Sequence, residues 1–118
     1  MIFLIDDDPI QNLITSQPII TSLPNKEFKV FNNGLEALES IASGDSPSLT
    51  LLDINMPIMN GWEFLEEYKK HPNKAPTVML SSSQNEEDIS KSKEFDFVSG
   101  YYSKPINRVS IKEIFQLS

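Results

Sequence analysis

"IFLIDDDPIQNL" (Ile2–Leu13) is the stretch on which the reading of the whole chain turns. Four apolar residues in a row suit a strand buried on both faces, and they stop abruptly at three consecutive aspartates. Asp8 followed by Pro9 is the pattern of a helix start. The carboxylate accepts backbone N–H bonds at the N-cap, and the proline fills a first-turn position whose N–H has no helical partner. Ile10, Leu13, Ile14 and Gln17 then recur at helical spacing. The stretch is one strand-then-helix unit with its charge concentrated at the junction. Adjacent carboxylates repel, so Asp6 and Asp7 either fan out into water or surround something cationic.

The same unit recurs along the chain. "FKVF" (Phe28–Phe31) reads as a second strand, followed by a helix with Leu35, Leu38, Ile41 and Ala42 on one side. "LTLLDI" (Leu49–Ile54) is the third and most apolar, and Leu65 and Tyr68 mark the helix after it. "TVMLS" (Thr77–Ser81) and "VSGYYS" (98–103) are the fourth and fifth strands. A polar helix over Glu86–Phe95 separates them, and Ile111, Ile114 and Phe115 line a last helix. Five such units in 118 residues predict one α/β domain: a five-stranded parallel sheet, right-handed crossovers and helices on both faces. Pro18 falls inside the first helix, where an interior proline costs roughly 3 kcal/mol, so a kink or a break near Ser16–Gln17 is expected.

In such a sheet the functional groups gather where the strands end at their carboxyl side. Asp6, Asp7, Asp8, Asp53, Ser81 and Lys104 are the strand-end residues here. Asp6 and Asp53 each follow an apolar run directly and should emerge at one edge. Carboxylates with backbone oxygen and water make a hard-cation site of the kind Mg²⁺ takes. Lys104 precedes Pro105, which holds its backbone extended. Ser81 is followed by Ser82 and Ser83, so the hydroxyl at this strand end is ambiguous by a residue. Met56-Pro57 and Asn60-Gly61 mark turns that return the chain sharply after Asp53.

"DD" after the first strand, "LLDINMPIMNG" at the third, the hydroxyl ending "TVMLS" and "YYSKP" at the fifth occur in that order over essentially the whole chain. Together they resemble the receiver domain of two-component response regulators, single-domain chemotaxis-regulator-like. The resemblance implies a flavodoxin-like strand order 2-1-3-4-5 and a single receiver domain over residues 1–118 with no output domain, either free-standing or cut from a longer regulator. It implies Asp53 as phosphoacceptor, Asp7 as a direct ligand of Mg²⁺ (or Mn²⁺), Asp6 acting through metal-bound water, and Asn55 contributing its backbone carbonyl. Ser81 corresponds to the hydroxyl that binds the phosphoryl group and Lys104 to the lysine that pairs with it, with a cis bond before Pro105. Tyr101 corresponds to the switch aromatic, Tyr102 being the alternative register. Asn55 and Ser83 would shield or position the hydrolytic water. The implied partners are a histidine kinase or histidine phosphotransfer protein as donor and a downstream protein target. The implied activity is self-phosphorylation and self-dephosphorylation rather than enzymatic turnover. Phe97 stands where the family usually has a helix-ending glycine.

Composition narrows the alternatives. The absence of cysteine excludes disulfides and thiolate metal sites, and the single His71, beside Pro72, reads as a surface loop residue. A formal charge of −7 argues against nonspecific binding to nucleic acid or anionic membranes. With no secretory leader or spanning run, a cytoplasmic location is expected. Two other functions use the same fold or residues: a phosphorylation-independent interaction module, and an aspartyl-phosphate phosphatase. The latter normally carries Asp-x-Asp, and here Asn55 replaces the second acid.

Overall fold

The computed structural model describes residues 1–82 and 85–117. Its strands are β1 (Ile2–Ile5), β2 (Phe28–Phe31), β3 (Leu49–Asp53), β4 (Thr77–Ser81) and β5 (Val98–Ser103). They alternate with α1 (Pro9–Ser22), α2 (Gly34–Ala42), α3 (Gly61–Tyr68), α4 (Glu86–Ser92) and α5 (Arg108–Leu117). All strand pairs are parallel, in the order β2-β1-β3-β4-β5. The three central strands are buried along their full length, including the polar Thr50, Asp53, Thr77 and Ser81 that interrupt or end their apolar runs.

Side-chain alternation divides the core in two. Phe3, Ile5, Leu52 and Met79 pack toward Phe64, Leu65 and Tyr68 of α3. Ile2, Leu4, Leu51 and Leu80 pack toward Ile19 of α1 and Ile111 and Ile114 of α5. Register then delivers the charged residues: Ile5 pairs with Leu52, so Asp6 and Asp53, one step further along, leave the sheet side by side.

All five helices begin just after an Asn or Asp whose side chain accepts first-turn backbone N–H bonds. At α1 the Asp8 carboxylate accepts from the backbone N–H of Ile10 at 2.9 Å and of Gln11 at 3.4 Å. At α3 Asn60 and Glu63 form a reciprocal capping box. The sharp return after Asp53 is made at Ile58, a non-glycine residue at φ 68°, while the Met59 N–H donates to the Pro57 carbonyl at 2.7 Å. Gly61 serves a different need from the turn expected there. It opens α3 directly over the β3 backbone, and a Cβ at this position would lie 2.6 Å from the Asp53 carbonyl oxygen.

Three expectations need correction. No break occurs at Pro18: α1 runs unbroken through it. The proline forgoes only the bond to the Ile14 carbonyl, and Ile19, fully buried, anchors the turn that follows. The inward face of α1 is Asn12, Thr15 and Ile19, whereas Ile10 and Leu13 are 68% and 58% exposed and Ile14 is exposed too. Finally, α4 ends at Ser92 rather than Phe95, because Lys93, Glu94 and Phe95 already bond as tight turns to carbonyls three residues back.

Candidate functional site

The ends of β1, β3, β4 and β5 open onto one cleft of about 310 Å³. Asp6, Asp7, Asp8 and Gln11 form one wall; Asp53, Asn55, Ser82, Lys104 and Pro105 form the rest. Asp6 is 2% exposed and spends both carboxylate oxygens: one accepts the Asp8 N–H at 3.0 Å, the other the Lys104 ammonium at 2.6 Å. Behind it, the Asn12 side-chain amide donates to the Asp6 carbonyl at 3.0 Å, which explains a polar residue on the buried face of α1. The Lys104 ammonium also lies 2.9 Å from Asp53, so one cation bridges two buried anions. Asp7 is exposed, and Asp8 is committed to its cap. The three adjacent aspartates thus divide their labour: one pairs with a lysine, one is exposed in the cleft wall, and one starts a helix.

Burial raises the Asp53 pKa above the usual carboxylate value. Lys104 opposes that rise and the neighbouring Asp6 charge adds to it. For Lys104 burial acts to lower the pKa, but the hydrogen bonds to Asp6 and Asp53 outweigh it and the value rises. Both folded groups hold their protons more tightly than the unfolded chain does. The Asp53 contribution to stability is therefore present in acid and lost as pH rises through its folded pKa. The Lys104 contribution is intact at neutral pH and lost only in alkali.

Carboxylate oxygens of Asp6, Asp7 and Asp53 all lie within 4.8 Å of one another. This all-oxygen, anionic donor set fits a hard divalent cation and not a soft one. Ser81 ends β4, buried, and its carbonyl accepts the Lys104 N–H at 2.7 Å; the residue lining the cleft is Ser82. The Lys104–Pro105 peptide bond is cis. Tyr101 is half-buried against the α3-side core, beside Ile89, Ser92 and Lys93 of the α4 segment. Tyr102 points the other way, its hydroxyl donating to Glu113 of α5 at 3.1 Å. Ser83 lies outside the described residues. His71 packs near the Tyr68 ring at 5.9 Å and does not line the cleft. Sequence reasoning missed Gln11 as a site residue. Its signal was the short Asp8 cap, which wraps the first turn of α1 back over the strand end.

The family model for the response regulator receiver domain matches residues 2–116. The response regulator Rcp1 of Synechocystis sp. is 30% identical over 125 residues, covering 99% of this chain and 82% of that one. Several other curated relatives are longer, the chain spanning at most 40% of their length. Among solved structures, a two-component response regulator from Cytophaga hutchinsonii superposes with a TM-score of 0.87 at 33% identity, covering 98% of this chain and 92% of that one. The Mn²⁺-bound form of response regulator Rcp1 superposes at 0.78 with 30% identity, covering 98% and 86%. The chain belongs to the response regulator receiver family, and its fold is the flavodoxin-like fold of that family. Among the described residues, no helix is long and apolar enough to cross a membrane.

Proposed function

We propose that this receiver accepts a phosphoryl group on Asp53 from a histidine kinase or a histidine phosphotransfer protein. The observation that carries the reading is the convergence of Asp6, Asp7 and Asp53 within 4.8 Å, with Lys104 bridging two of them. In the transfer a carboxylate oxygen of Asp53 attacks phosphorus. The bond from phosphorus to the donor imidazole nitrogen breaks, and the nitrogen keeps the electron pair. A divalent cation, Mg²⁺ or Mn²⁺, supplies the charge neutralisation that anion-on-anion attack demands. Exposed Asp7 is placed to bind such a cation directly. Asp6, with both oxygens already engaged, is suited to act through water, and Asn55 lines the cleft where its backbone carbonyl would contribute. Lys104 exchanges a carboxylate for phosphoryl oxygens with little movement. The exposed Ile10, Leu13 and Ile14 beside the cleft give the donor an apolar face to dock on.

Phosphorylation replaces one negative charge by up to about two and adds three acceptor oxygens. The Ser81 hydroxyl turns toward the phosphoryl group, and Tyr101 turns inward into the space released. The surface of α4, β5 and α5 then repacks as a shift between two populated states and becomes competent for a downstream protein target. The chain acts as a signalling domain that loses its phosphoryl group to water, not as a turnover enzyme.

Incubation with a small-molecule phosphodonor and Mg²⁺, followed by intact-mass measurement, should add one phosphoryl mass. Chelation of the metal or Asp53→Asn should abolish the gain. Asp53→Asn should melt no lower than the wild type, since burial disfavours the charge it removes. Equal labelling of the variant overturns the assignment; a folded wild type that never labels leaves a phosphorylation-independent interaction module.

A further inference from the structure

Six of the ten lysines and arginines have a partner. Lys29, Lys69, Lys70 and Lys104 each pair with a carboxylate, Lys91 lies over the Trp62 ring, and Lys74 donates to the His71 carbonyl. The side chains of Lys26, Lys93, Arg108 and Lys112 have none among the described residues. Three of those four gather at one place. Arg108 and Lys112 line a groove of about 450 Å³ between α5 and the end of α1. Lys26 lines the adjoining hollow, which shares Ser22 and Leu23 with it. The rest of the groove is mainly apolar: Leu23, Ile111 and Phe115. Among the described residues no acid lines either hollow. Glu113, the one acid of α5, accepts a hydrogen bond from the Tyr102 hydroxyl, and α1 carries no charge at all. On a chain of net charge −7, unpaired cations collected around apolar surface leave both a charge and an area for a partner to cover.

We propose that this groove docks an acidic amphipathic helix of a partner protein. Its apolar side chains enter between Leu23, Ile111 and Phe115, and its carboxylates meet Arg108, Lys112 and Lys26. The spacing of the cations selects a helix. Arg108 and Lys112 stand four residues apart on α5, which puts them on neighbouring turns of one face. They match two carboxylates one turn apart on a helix laid along them, the helix-in-groove mode of recognition. A fatty acid offers a single carboxylate and leaves the other cations unmet. The groove shares no residue with the acidic cleft, so the inference stands independently of phosphoryl transfer.

The test titrates the unphosphorylated, isotopically labelled chain with two synthetic peptides and follows its backbone amide shifts. Each peptide is an amphipathic helix of about four turns, roughly 14 residues, with leucine on one face. One carries glutamate at the flanking positions, and the other carries lysine in place of every glutamate. The glutamate peptide should shift the amides of Ser22–Lys26 and Arg108–Phe115. Read at those amides, it should bind about tenfold more tightly than the lysine peptide, as a few exposed ion pairs supply together, and the advantage should fade in 1 M salt. The sign is diagnostic, because bulk attraction to a chain of charge −7 favours the lysine peptide. Arg108→Glu with Lys112→Glu should invert the preference. Arg108→Gln with Lys112→Gln, which adds no charge, should erase it without inverting it. Both side chains are exposed, so both variants should melt as wild type does. Failure of the glutamate peptide to bind, equal affinity for the two peptides, shifts centred on α4 and β5, or a preference that survives in both variants would each overturn the assignment.

Discussion

Lys104→Met should lower folding stability at neutral pH by about 3–5 kcal/mol, the cost of stripping the partner from buried charges. The side chains of Asp6, Asp53 and Lys104 are all nine-tenths buried or close to it, and the ammonium contacts both acids within 3 Å. Methionine matches the aliphatic stem, so the loss reports charge and not volume. The pH dependence has a definite sign. Without the ammonium, burial and the Asp6 charge raise the Asp53 pKa further, and only the backbone hydrogen bond at Ile54 still acts to lower it. A carboxyl with a raised folded pKa stabilises in acid and loses that contribution as pH rises. The deficit should therefore be largest at neutral pH and shrink on acidification, while added Mg²⁺ should restore more stability to the variant than it adds to wild type. Urea unfolding at two pH values, with and without Mg²⁺, reads all of these. A variant as stable as wild type at neutral pH would show that the lysine does not hold the acids together.

Gly61→Ala should cost about 1–3 kcal/mol, as overpacking against a rigid neighbour does. Helix propensity alone predicts the opposite, since alanine exceeds glycine by about 1 kcal/mol within a helix. The clash decides the sign. A Cβ would meet the Asp53 carbonyl oxygen at 2.6 Å and the Ile54 Cα at 2.9 Å, and both are backbone that cannot rotate aside. The first turn of α3 must retract from β3, lengthening the bond from the Gly61 N–H to the Ile54 carbonyl, 2.7 Å in the native fold. Because that contact seats the phosphoacceptor strand end, labelling of Asp53 should slow alongside the loss of stability. Gly61→Ala with raised stability and unchanged labelling would mean that α3 can shift without moving Asp53.

The three central strands were legible because they are buried on both faces and read as mainly apolar runs with a polar stop. The half-exposed edge strands, FKVF and VSGYYS, were legible from their β-branched and aromatic residues. The helices were less so. Ile10, Leu13 and Ile14 have the spacing of a core face, yet they lie outward, and Asn12 turns inward because the Asp6 carbonyl needs a donor. Periodicity records where apolar residues sit on a helix, not which side meets the sheet. The convergence of Asp6, Asp53 and Lys104 could be read from strand ends once the parallel order was inferred. The place of Gln11 in the cleft wall and the close approach at Gly61 could not, since both depend on how a loop and a helix turn seat against neighbouring backbone.

The shared divalent-cation site is tested most directly by titrating isotopically labelled protein with substoichiometric Mn²⁺ and reading paramagnetic broadening of backbone amides. The amides of residues 6–8, 53–55 and 104 should broaden first and together, and Asp7→Asn should weaken the effect at all three segments. Broadening centred instead on Glu86–Asp88 of α4, or confined to residues 6–8 without 53–55, would contradict a cation held between the two strand ends.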